Sequence, residues 1–349
     1  MPRTAPPTAT PPAAGTAQGR PGRERRYDID LLRVVCTAAV VLVHASGEFI
    51  DAGHRTTGVL GDSVSRFAVP VFFAMAGWSA LAGSPVRGDA QLLTRLGRIL
   101  RPMAVWTAVY LLWQYVAGPP LNGGVKEAVR ALFGSVEAAY HLWYLYAYVP
   151  LLLLLGVAAL VLKQHATPRW SLLLLAAFAV APAVVGDART LTGLPLPGWN
   201  WSVSLSSLGY AVAGAALLAA RRRGPRPLWI AAAAVALVAL TVYQFTVRHP
   251  AAYGSAAVAA LTFAVLGAVA GVPVPERVRA VLGRLSDASF GTYLVHLLFV
   301  MLLVRPVAER VPHGFAAPVA LAVTAVAAAA LSFAASVLWG WLGMRKWLG

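Results

Sequence analysis

The sequence predicts an all-α, polytopic integral membrane protein with about ten transmembrane helices and both termini in the cytoplasm. Three observations predict it. The 349 residues are 59% hydrophobic and only 12% charged, with a mean hydropathy of +0.68, whereas a soluble domain carries roughly a quarter charged residues. Apolar segments recur along the chain at lengths that cross a bilayer. Lys and Arg gather in alternate connections between those segments.

Residues 1–26 are rich in Pro, Ala, Thr and Gly and end in Arg20, Arg23, Arg25 and Arg26. Too little apolar surface is present to offset ordering, so the expectation is a disordered, basic, cytoplasmic tail. It lacks the apolar stretch and small-residue cleavage site of a signal peptide. Residues 27–349 form the membrane domain. Its apolar segments fall at 31–50, 64–82, 102–118, 141–162, 170–186, 202–220, 228–247, 255–272, 288–305 and 315–341. Each is near the ~20 residues that cross ~30 Å of hydrocarbon as a helix. Alternating barrel strands are not seen, and helices satisfy their backbone groups internally, as lipid requires. The connection from Asp187 to Trp201 is rich in Pro, Gly and Trp and reads as an interfacial loop or the cap of a cavity.

A net charge of +16 first suggests nucleic acid. The positions of the charges argue otherwise. With the tail inside, cytoplasmic connections hold Arg87, Arg95, Arg98 and Arg101, then Lys163 and Arg169. Further on they hold Arg221, Arg222, Arg223 and Arg226, then Arg277, Arg279 and Arg284, then Arg345 and Lys346. Far fewer lie opposite. This is the positive-inside distribution, and it favours an even number of spans. The single cysteine, Cys36, excludes an internal disulfide and a multi-cysteine metal cluster, and no metal site is expected.

The first span carries the chemistry. On a wheel of 100° per residue, Asp30, Arg33, Thr37, His44, Glu48 and Asp51 fall within an arc of roughly 60°. The rest of that helix is apolar. Arg33 and His44, eleven positions apart, share a face about 16 Å apart along the axis. Charges within a span are costly, roughly 2.5–3.5 kcal/mol near its centre, and usually face water or protein. A polar pathway along this helix follows. Arg95, Arg98 and Arg101 form a basic ridge before Pro102, suited to phosphates, although alone it reads as positive-inside anchoring. His141 opens the fourth span within an aromatic stretch, and Ser289, Tyr293 and His296 share a face of the ninth.

These stretches resemble the membrane acyltransferase 3 family. The resemblance rests on Tyr27-Asp28-Ile29-Asp30-Leu31-Leu32-Arg33, followed after ten residues by His44. Four more stretches agree in the family's order. They are Pro70-Val71-Phe72-Phe73-Ala74-Met75-Ala76-Gly77-Trp78; Arg98-Ile99-Leu100-Arg101-Pro102; His141-Leu142-Trp143-Tyr144-Leu145; and Ser289-Phe290-Gly291-Thr292-Tyr293-Leu294-Val295-His296. Ala76 stands where many members have serine, and no hydrolase-like domain is expected after the last helix.

The resemblance implies a multi-pass cell-membrane enzyme that moves an acyl group, often acetyl, from cytoplasmic acyl-CoA to a hydroxyl. The acceptor would be a surface carbohydrate, a lipid-linked sugar or a small natural product. No bound cofactor is expected; acyl-CoA is a co-substrate. His44 is the expected general base, with Glu48 one turn away to orient it. Arg33, Arg98 and Arg101 are expected to hold the donor's phosphates. His141, Tyr293 and His296 are expected to support the acceptor or the oxyanion. The competing reading is a transporter or flippase for a polysaccharide or lipid-linked sugar, since intramembrane Arg and His also suit a translocation path.

Overall fold

The computed structural model describes residues 25–117, 124–220 and 225–349, with the side chains of 124 and 125 excepted. The tail expected over 1–26 therefore lies almost wholly outside the described residues, as do Arg221, Arg222 and Arg223. Among the described residues every regular element is helical and no strand occurs.

The elements are α1 (Tyr27–Asp51), α2 (Arg55–Ser65), α3 (Ala68–Trp78, extended by a π turn at Ser79–Gly83) and α4 (Asp89–Ala117). After these come α5 (Gly124–Phe133), a 3₁₀ turn (Glu137–Leu142), α6 (Trp143–Gln164) and α7 (Arg169–Thr192). Then follow α8 (Leu205–Ala219), α9 (Arg226–Thr246), α10 (Ala256–Val269) and α11 (Glu276–Phe299). A π turn at Val300–Val304 leads into α12 (Arg305–Ala308), α13 (Ala316–Trp341) and α14 (Arg345–Leu348).

Among the described residues seven helical stretches are long and apolar enough to cross a membrane: 27–51, 55–83, 126–164, 169–192, 226–246, 276–308 and 316–341. The other three expected segments also fall on helices, but these are less complete as spans. α8 and α10 are apolar yet only 15 and 14 residues long. α4 carries three arginines in its first half. α5, a short amphipathic helix between α4 and α6, falls outside the apolar segments expected from sequence.

Small residues set the tightest packing. α3 and α8 cross at Ala74, Gly77, Ala211 and Gly214; a Cβ at Gly77 would lie 1.8 Å from the Ala211 carbonyl oxygen. One at Gly214 would lie 2.3 Å from the Ala74 Cα. With lipid as apolar as the helices themselves, such close backbone approach supplies much of the attraction. α1 runs antiparallel to α2, where Gly61 sits on Ser46 and Gly58 on Ile50. It also packs on α11 in parallel, with Arg33 beside Ser286 and His44 beside His296. α13 closes the other side of α11 through Ser336, whose hydroxyl donates to the Ala288 carbonyl at 2.7 Å. The core therefore surrounds α1 and α11, and these two helices carry the polar groups.

Candidate active site

Two polar layers lie on the α1–α11 seam. At its amino-terminal end, Arg33 Nη1 donates to Ser286 Oγ at 2.9 Å, and Ser286 Oγ donates to Asp30 Oδ1 at 2.6 Å. Arg25 Nε donates to Asp30 Oδ2 at 2.6 Å, and Arg33 Nη1 lies 3.6 Å from Asp30 Oδ1. Asp30 is 4% exposed and lies between the guanidinium groups of Arg25 and Arg33. Its hydrogen bond, with Asp287 adding to it, pushes the Arg25 guanidinium further above its usual range, so Arg25 stays charged. The Arg33 side chain is 39% exposed. Only Nη1 makes these contacts, and the rest of the fork is free for an anion.

Beyond Arg33 a cavity of about 200 Å³ runs into the bundle. Arg33, Phe72, Tyr144, Tyr148, Ser289 and Tyr293 are among its lining. Arg33 and Tyr293 therefore share one space. The second layer begins where that space stops.

There His44, His141 and His296 cluster. Ring centroids are 5.0 Å apart for His44 and His296, 5.2 Å for His141 and His296, and 6.3 Å for His44 and His141. His44 Nδ1 lies 3.0 Å from the Tyr140 hydroxyl. His296 Nδ1 lies 2.5 Å from the Tyr293 carbonyl, which as an acceptor fixes the proton on that nitrogen. The Tyr293 hydroxyl donates to the His141 carbonyl at 2.6 Å. His141 Nδ1, His141 Nε2 and His296 Nε2 are buried without a hydrogen-bond partner. Each such atom is open to a hydrogen bond from a bound molecule, and one left with no partner at all costs about 1–3 kcal/mol.

His44, His141, Tyr293 and His296 thus come together, and Arg33 reaches them through the cavity and Tyr293. Glu48 does not join them. Its carboxylate faces Arg305 Nε at 3.9 Å, and the hydrogen-bond partner of the His44 ring is Tyr140. Arg98 and Arg101 are exposed on α4 and line no part of the cavity, although Ile99 between them does. Arg95 is half-buried, within electrostatic range of Tyr148. Among the described residues no three His, Cys, Asp or Glu side chains are placed to share a metal ion.

Sequence reasoning missed Tyr140 and Ser286. Tyr140 adjoins His141, a signal that was present; Ser286 is reached only through the parallel pairing of α1 with α11.

Residues 26–344 match a protein family described as an acyltransferase domain, nearly the whole chain. No curated protein and no solved structure matches it. The chain belongs to this acyltransferase family and is a membrane protein.

Proposed function

We propose that this family member is an O-acyltransferase that takes an acyl group, most simply acetyl, from acyl-CoA and delivers it to a hydroxyl of a carbohydrate, lipid-linked sugar or small natural product. The reading is supported above all by the cavity that links Arg33 to Tyr293 at the edge of the three-histidine cluster. It places the α1 amino terminus, the carboxyl terminus and the donor in the cytoplasm, with about ten helices spanning the cell membrane.

In this account Arg33 holds a donor phosphate at the inner mouth, and Arg98 and Arg101 extend that basic surface. The pantetheine arm enters the cavity towards Tyr144 and Tyr293. Their rings turn aside to admit the thioester to the histidine layer. His44 acts as base with Nδ1–H donated to the Tyr140 oxygen, which leaves the lone pair on Nε2. As the acceptor oxygen attacks the thioester carbonyl, its proton passes to His44 Nε2. The carbon–sulfur bond then breaks, an ester forms, and the CoA thiolate recovers the proton. A His141 N–H turned towards the carbonyl oxygen stabilises the developing negative charge in a water-poor site, while His296, its Nδ1–H held by the Tyr293 carbonyl, accepts from the acceptor's hydroxyls through Nε2. Glu48, paired with Arg305, acts from a distance as a fixed charge.

The test is to incubate membranes containing the chain with acetyl-labelled acetyl-CoA and to search lipids, glycans and small metabolites for covalent label. His44→Ala should lower labelling by about 10²–10⁴-fold while leaving membrane insertion intact. Unchanged labelling in that variant removes His44 as the base, and movement of an unmodified sugar across the membrane without label favours transport.

A further inference from the structure

A second cavity opens at the opposite end of the bundle, with a volume of about 420 Å³, within the usual range for small-ligand pockets. Its lining includes Trp143, Asn200, Ser202, Ser204, Ser206 and Tyr253. Among the described residues no charged side chain lines it. Ser202 and Asn200 come from the Trp- and Pro-rich connection before α8, and among the described residues neither side chain has a hydrogen-bond partner. Ser204 caps α8 by accepting from the Ser207 N–H at 3.0 Å, and lies 3.1 Å from the Ser206 hydroxyl. The Trp143 ring stacks on Tyr253 at 5.5 Å and is 36% exposed.

This wall is built rather than incidental. Arg66, buried and paired with Asp62 at 2.6 Å, donates through Nε to the Ala251 carbonyl at 2.7 Å. Gln244 donates to Asp62 and accepts from the Ala251 N–H. The Tyr210 hydroxyl donates to the Tyr253 carbonyl at 2.6 Å. The guanidinium of Arg66 lies 4.9 Å from the Tyr253 ring centre. An internal ion network thus fixes an aromatic surface while keeping its own charges off the cavity lining.

Its position relative to the first cavity is informative. Phe72 lines the inner cavity and Phe73 the outer; Tyr144 lines the inner and Trp143 the outer. Phe73 and Tyr144 touch, at 4.9 Å between ring centres. One aromatic layer separates the two spaces, and Tyr144 packs on Tyr293 beside the histidines. From Gly61 on Ser46, the antiparallel register of α2 against α1 brings Arg66 within about one turn of the depth of His44.

We propose that the outer cavity is the acceptor subsite and that it takes an uncharged polyhydroxylated ring, a neutral glycosyl unit. The C–H face of the sugar lies on Trp143, and Asn200, Ser202 and Ser206 exchange hydrogen bonds with its hydroxyls. A carboxylate or ammonium on the ring would be desolvated there without a counter-charge. The assignment of this ring as acceptor rests on the acyl-transfer reading; the binding itself does not.

The test is saturation-transfer NMR on the full chain in nanodiscs, with methyl glucoside, galactoside, mannoside and rhamnoside against methyl glucuronide and methyl glucosaminide. The neutral glycosides should show transfer and the two charged ones none. Trp143→Ala should reduce the signal at least tenfold. Ser202→Arg, at an exposed loop position whose side chain supports nothing, should do the same without endangering the fold. Stronger transfer to a charged sugar, transfer that survives both substitutions, or none from any neutral glycoside overturns the proposal. Acetyl-CoA turnover by the same nanodiscs reads acyl chemistry separately. Sugar binding without turnover would refute the enzyme and keep the subsite, and turnover without sugar binding would do the reverse.

Discussion

Helices α1 and α7 are nearly equal in length, 25 and 24 residues, and both are apolar enough to cross a membrane. Their buried faces are opposites. α1 buries Asp28, Asp30, Thr37 and Ser46 among its apolar residues, whereas α7 buries only Ser171 and turns Leu173, Val180 and Val184 outward. In water, buried polar and exposed apolar side chains would mark a poor fold. In lipid the outward apolar face is solvated, and the inward polar face is where binding and chemistry reside. Membrane-spanning length alone therefore identifies no site; the polarity of the buried face does.

Gly77→Leu forces a side chain into the Ala211 backbone at the α3–α8 crossing and should abolish folded protein. Fluorescence-detected size exclusion would show loss of the monodisperse peak; a normal peak would mean that the crossing tolerates separation. Tyr140→Phe deletes the hydroxyl beside His44 and leaves the ring. Transfer should fall by about tenfold, the equivalent of one hydrogen bond of roughly 1.4 kcal/mol, with donor affinity unchanged. Ser286→Ala removes the bridge between Asp30 and Arg33. Donor affinity should drop a few-fold by titration calorimetry, with little change in the rate at saturating donor.

Two smaller effects belong to α7. Burial raises the pKa of Asp89, but hydrogen bonds from the Ser171 hydroxyl and from the Trp170 and Ser171 backbone N–H groups outweigh it and hold the carboxyl below its usual range. Asp89 thus caps α7 from another helix. Its folded pKa is depressed, so its contribution is full above the usual carboxylate pKa and is lost as pH falls through the folded value. Asp89→Ala should cost about 1 kcal/mol in denaturation and remove that acid-side dependence. Leu173→Ala, facing lipid, should change stability by no more than about 0.5 kcal/mol. A large loss there would reveal a partner on the α7 face.

Much of this was legible in the sequence because it depends on short-range periodicity. Among the described residues each of the ten apolar segments lies mostly on helix, and the stripe from Asp30 to Glu48 is a property of one helix. Arg33 and His44 could be placed on one face without tertiary information. Partners could not. Ser286 meets Arg33 across 253 positions, and Tyr140 meets His44 across 96. Tyr140 reads as an ordinary interfacial aromatic until the 3₁₀ turn before α6 is set against α1. Glu48 looked like an orienting group because it is one turn from His44, yet Arg305 arrives from α12 beside it. Arg98 and Arg101 show how a basic ridge is visible in sequence while its direction is not.

In the proposed acyl transfer, labour divides along one seam, with Arg33 holding the donor and His44, one layer deeper, acting as base. Arg33→Gln and His44→Gln are best compared in nanodiscs for acetyl-CoA affinity and for single-turnover transfer at saturating donor. Arg33→Gln should weaken donor binding at least tenfold and leave the saturated rate near normal, while His44→Gln should do the opposite. Equal losses of binding and rate in both variants, or the reverse assignment, would contradict it.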